Sequence, residues 1–103
     1  MQEQPIPAAA VRDRNSVEML RVWIAEQGLH CSIGVGVFRE NQNVSEEKGW
    51  STILADIARN VAQAIEQSTG APAAQTLQTM REHIAAELDR PAPAVRGSFT
   101  GRH

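Results

Sequence analysis

The chain's 103 residues suffice for one small domain, which buries only about 60 to 65% of its unfolded surface, so shared burial in an oligomer would help it considerably. Ten Lys plus Arg against twelve Asp plus Glu give a net charge of −2, which offers no basic field for a polyphosphate backbone and argues against nucleic acid as the main partner. Cys31 is the only cysteine, so an intramolecular disulfide framework is excluded and a reducing, cytoplasmic setting fits.

Residues 1–15, MQEQPIPAAAVRDRN, hold two prolines and three consecutive alanines without apolar periodicity. They read as an extended arm with the option of a short edge strand. They lack the basic start and apolar run of a secretory leader. No apolar run in the chain approaches the roughly 20 residues of a membrane span, so a soluble protein without a membrane partner is expected.

From Ser16 the pattern changes: in VEMLRVWIAE, Leu20, Val22 and Ile24 alternate at period two, a strand signal. After Glu26–Gly28 the alternation resumes, with Leu29, Cys31, Ile33, Val35 and Val37 on one side and His30, Ser32, Gly34, Gly36 and Phe38 on the other. The two runs predict an antiparallel hairpin. Placing Ala25 opposite His30 gathers the apolar set on one face, and a one-residue slip would split it, so the pattern specifies register to within two residues.

The polar stretch RENQNVSEEKG leads out of the hairpin. Ser45, Glu46 and Glu47 then supply a hydroxyl cap and first-turn carboxylates. Trp50, Ile53, Leu54, Ile57, Ala58, Val61, Ala62 and Ile65 recur at helical spacing, predicting a helix over residues 46–67. Gly70 reads as a left-handed cap and Pro72 as the start of a second helix over residues 73–89, carried by Leu77, Met80, Ile84 and Leu88. The short link predicts a helical hairpin. Residues 91–103 have too little apolar area to order alone and read as a disordered tail, leaving residues 16–90 as the single domain.

These elements make an α+β protein: a two-stranded antiparallel hairpin, with a possible third strand from the N-terminal arm, packed against two amphipathic helices. Two strands alone are marginal and leave two open edges. Pairing of hairpins between two copies would extend the sheet and enlarge the core, so a homodimer is expected.

The pair Gly34/Gly36 invites a phosphate-loop reading, but a dinucleotide fingerprint needs a third glycine at the position held by Arg39, at the entry to a helix. Glycines on one strand face instead permit close approach of an aromatic ring or another backbone. The second face thus offers Arg21, Trp23, His30, Ser32, Gly34, Gly36 and Phe38 as ligand or interface candidates: donors between aromatic walls, with a bare floor. Trp and Arg are enriched at interface cores, which favours a protein contact over a small anionic or planar ligand. His30, Cys31, His83 and Glu87 are ligand types, but adjacent strand residues point to opposite sides and the helical pair lies on an exposed face, so no metal site is expected. Cys31 is placed in the core, away from any base, and no nucleophile-elbow motif surrounds Ser32. Neither catalytic residues nor a cofactor are expected, and Asp56, Arg59 and Glu66 read as an exposed salt-linked stripe.

The strands EMLRVWI and SIGVGVF and the helix GWSTILADIARNVAQAI together resemble a family of small bacterial proteins known only as a domain of unknown function, the one numbered 5076. The likeness covers about residues 16–89 and departs from the family pattern where an Asp-Pro helix start gives way to VSEEKGW. It implies a compact α+β unit of unassigned activity and adds no site residues.

Overall fold

The computed structural model describes residues 1–41, 43–91 and 98–101. Two compact units divide the chain. The first holds helix α1 (Ala8–Arg12) and a three-stranded sheet, β1 (Leu20–Ala25), β2 (Gly28–Val35) and β3 (Ser98–Gly101). The second begins at Gly36 and holds α2 (Val37–Asn41), α3 (Glu46–Thr69) and α4 (Ala73–Asp89). The α+β class and the antiparallel hairpin are as the sequence predicts.

In the first unit the strand order is β1-β2-β3, so β2 is central. The third strand does not come from the N-terminal arm. The arm's alanines form α1, whose end is tied down by the Ser16 hydroxyl donating to the Ala10 carbonyl at 2.9 Å. The third strand comes instead from the segment read as a disordered tail, where Ser98–Gly101 runs parallel to Ser32–Val35. That reading weighed apolar area, whereas joining a sheet edge takes only main-chain groups. The rest of the tail reading falls mostly outside the described residues.

The hairpin register is two residues from the predicted one. Ala25 faces Gly28 rather than His30, with Leu20↔Ile33, Val22↔Cys31 and Ile24↔Leu29 in line. The tighter turn prevails because Glu26 and Gln27 both take positive φ, 50° and 63°, as the two-residue turn that matches strand twist requires. A slip of two preserves face parity, so Leu20, Val22, Ile24, Leu29, Cys31 and Ile33 still share one face. The second strand is shorter than its alternation suggests: it ends at Val35, and Gly36 at φ 102° turns the chain into α2.

In the second unit α3 starts and stops where its caps dictate. The Ser45 hydroxyl accepts from the Lys48 N–H at 3.3 Å, and Gly70, at φ 82°, donates its N–H to the Glu66 carbonyl at 2.8 Å. The Glu66 side chain then accepts from the Ala73 N–H at 3.2 Å, capping the first turn of α4, which packs on α3. Glu66, itself exposed, caps the next helix, and Asp56 and Arg59 pair on the surface.

Non-glycine residues held at left-handed φ cost about 1 to 2 kcal/mol each. Gln27→Gly should therefore raise stability by about 1 kcal/mol. Chemical denaturation should show a higher midpoint at unchanged slope; an unmoved midpoint would mean that the turn carries no strain.

Candidate functional site

The hairpin gathers five of the seven candidates on one face. Arg21 stands directly opposite Ser32 and Trp23 opposite His30, with Gly34 one pair further along. Gly34 is buried and donates its N–H to the Met19 carbonyl at 2.9 Å, continuing the ladder past β1; on its other side it faces Thr100. Gly34 is thus held by main-chain pairing to a neighbouring segment on each side.

Gly36 and Phe38 do not join that face. The turn at Gly36 carries Phe38 into α2, where its ring meets Trp50 edge-on, with centroids 6.3 Å apart and planes at 79°. The same ring lies against Gly49 of α3, so closely that a Cβ on Gly49 would overlap it. Period-two alternation through Phe38 was misleading because a strand glycine and a turning glycine have the same letter.

Arg21 is committed rather than free. Its guanidinium forks onto Glu18, with Nε to Oε1 at 3.1 Å and Nη2 to Oε2 at 3.2 Å, and Nη1 reaches Glu3 Oε2 at 3.4 Å. It also lies 5.9 Å from the Trp23 ring centroid, within cation–π range. The hydrogen bond and charge of Glu18, with Glu3 behind it, raise its pKa further. An arginine already neutralised by two carboxylates is a poor anchor for an anion, and through Glu3 it tethers the arm.

His30 differs. Its Nε2 is buried without a hydrogen-bond partner, across the strands from the Trp23 indole. Both residues line an open groove of about 1420 Å³ bounded by arm residues from Met1 to Pro7 and by the length of β1. Cys31 lies on the opposite face, half-buried and free. His83 and Glu87 sit 3.8 Å apart on an exposed turn of α4, where Arg90 also reaches Glu87 at 3.2 Å.

Sequence reasoning missed Glu46. Its carboxylate accepts from the Gly36 N–H at 2.8 Å and the Arg39 N–H at 3.1 Å, so the first residue of α3 caps α2. The Gly36 N–H is the main cause holding its pKa below the usual carboxylate value; Arg39 and Phe38 N–H groups and the nearby Trp50 indole add to this, and partial burial opposes it. No local signal links residues ten apart, and only the dipole role of a first-turn acid was legible.

The family model described as domain of unknown function DUF5076 matches residues 3–92. The chain belongs to this family. The DUF5076 chain also resembles a solved structure described as "a putative pyruvate dehydrogenase from the photosynthetic bacterium Rhodopseudomonas palustrus CGA009", with 23% identity, a TM-score of 0.66 and 93% of each chain covered. That likeness is one of fold. None of the curated proteins matches this DUF5076 chain, and among its described residues no helix is long and apolar enough to cross a membrane.

Two outcomes follow from this geometry. Gly49→Ala, which would normally favour a helix by about 0.5 to 1 kcal/mol, should instead destabilise by about 1 to 3 kcal/mol because Phe38 must move; thermal unfolding reads the sign. The depressed Glu46 pKa contributes stability that is full above the unfolded value, near 4.5, and fades as pH falls through the lower folded value. Glu46→Gln should therefore unfold more easily at neutral pH and lose less stability than the parent on acidification. Parallel pH profiles would contradict this assignment.

Proposed function

We propose that this chain is a non-catalytic, cytoplasmic module that acts as a homodimer, completing its own sheet and core or presenting the joined surface to a protein partner. The observation that carries this reading is the state of the hairpin's apolar face. Val22 is 49%, Ile24 84% and Leu29 57% exposed, although register places these three side by side, and Val35, further along the same face of β2, is 37% exposed. Among the described residues the only buried apolar residues are Val37 and Ala62, and no large side chain is fully buried. An exposed contiguous apolar patch on a small domain marks a surface that something covers.

At about 1.5 to 3 kcal/mol per fully buried aliphatic side chain, that face offers on the order of 5 kcal/mol per copy. Association itself costs an estimated 4 to 15 kcal/mol, so the patch can support a dimer when other bonds accompany it. The free, half-buried Cys31 thiol fits a reducing compartment.

A second reading, a small-ligand site on the Trp23 face, is favoured by one observation: the unpartnered His30 Nε2 beside the groove. The commitment of Arg21 to Glu18 and Glu3 weighs against an anionic ligand there.

Light scattering should give twice the 11.2 kDa chain mass, and Trp23→Ala should weaken that association at least tenfold. A monomer at all concentrations would defeat the homodimer. A metabolite that raises the melting temperature of the parent but not of His30→Ala would move the assignment to the ligand reading.

A further inference from the structure

We infer that the homodimer is built by β1 pairing antiparallel with β1 of a second copy, with the two-fold axis at Val22. The inference rests on the homodimeric reading above and names its seam, an edge at which the two apolar faces meet side by side and form the joined surface open to a partner. It starts from the ladder. The Gly34 N–H bonds to the Met19 carbonyl, and antiparallel main-chain groups alternate in direction. The polar main-chain groups of Arg21 and Trp23 therefore also face β2, and those of Leu20, Val22 and Ile24 face outward. Because the strand order is β1-β2-β3, these outward groups form an open edge. The strand LRVWIA carries no proline or lysine, two of the usual devices that blunt an edge.

The space beside that edge is open. The groove is lined by Leu20, Val22 and Ile24 from one face of β1 and by Arg21 and Trp23 from the other, so it opens along the edge itself. The arm on its far side is the competing occupant within the chain. Among the described residues no main-chain bond joins the arm to β1, and Pro5 and Pro7 lack the N–H groups that pairing needs.

Register follows from self-complementarity. Centring on Val22 sets Val22 against the partner's Val22 and Leu20 against the partner's Ile24, using all three outward residues and joining the two apolar faces. On the other face it sets Arg21 against the partner's Trp23, repeating between copies the cation–π contact present within each. Sliding by two residues one way puts Ile24 against Glu18, outside the strand, and loses part of the ladder. Sliding the other way puts Leu20 against Glu26 in the turn and loses part of the ladder. Only the central register satisfies edge and apolar face together.

The test is cross-linking. In a Cys31→Ser background, Val22→Cys places two thiols at a pair whose Cα atoms are about 5.5 Å apart, inside the roughly 4.4 to 6.8 Å range for a disulfide. Ile24→Cys would place them roughly 14 Å apart, four residues out of line. Mild oxidation should link Val22→Cys at least tenfold more completely than Ile24→Cys. Amide exchange on the unmodified protein provides a check independent of any substitution: the N–H groups of Leu20, Val22 and Ile24 should be protected at concentrations where the dimer forms and exchange freely on dilution. A species of twice the chain mass with these amides unprotected, or linking preferentially at Ile24→Cys, overturns the edge assignment and leaves the homodimer standing. A monomeric mass overturns both.

Discussion

Two residues with positive φ, Glu26 and Gln27, govern the first unit. A two-residue loop admits one closing pair, Ala25 with Gly28, and every later pair is then set. Trp23 meets His30 and Arg21 meets Ser32 because of that turn. The same closure decides which main-chain groups of β1 are used by β2 and which are left over. Neither residue is a glycine or an asparagine, the types that usually take such angles. Backbone strain is therefore held at the position that defines both faces of the sheet.

In the second unit, carboxylates set the geometry where burial is scarce. Glu46 bonds backward to the first turn of α2, and Glu66 bonds forward to the first turn of α4. Each supplies an acceptor to main-chain N–H groups that a helix start leaves without partners, and each places negative charge at the positive end of a helix dipole. The two links bracket α3, whose own ends are closed by Ser45 and Gly70. Phe38, Gly49 and Trp50 then fill the space beside Glu46 with ring contacts. Along the chain, Gly36 is the residue at which the strand gives way to the helices that hold this small aromatic cluster.

Much of this was legible in the letters. Ser45 and Gly70 delimit α3 because capping is local chemistry, and the apolar parity of the hairpin survives because alternation records faces. Alternation does not record register, so the pattern could not separate Ala25 opposite His30 from Ala25 opposite Gly28; the turn's backbone angles did. Five of the candidate face residues stand together for the same reason of parity. Gly36 and Phe38 were lost because positive φ leaves no trace in composition. β3 pairs with β2 across more than sixty residues of intervening chain, and a four-residue strand that relies on main-chain bonds carries almost no side-chain signature. The carboxylate of Glu46 was read as a charge at a helix end, when it is also an acceptor for another element.

Gly49 has a consequence for how the chain acquires its order. A glycine in the first turn of α3 lowers the intrinsic helicity of that turn by about 1 kcal/mol relative to alanine, and the Phe38 ring occupies the room its missing side chain leaves. The beginning of the longest helix is thus weakest until the preceding segment has folded against it. The bend at Gly36, the short helix after it and the start of α3 should consequently gain and lose structure in a single cooperative step, while the remainder of α3 can form ahead of them.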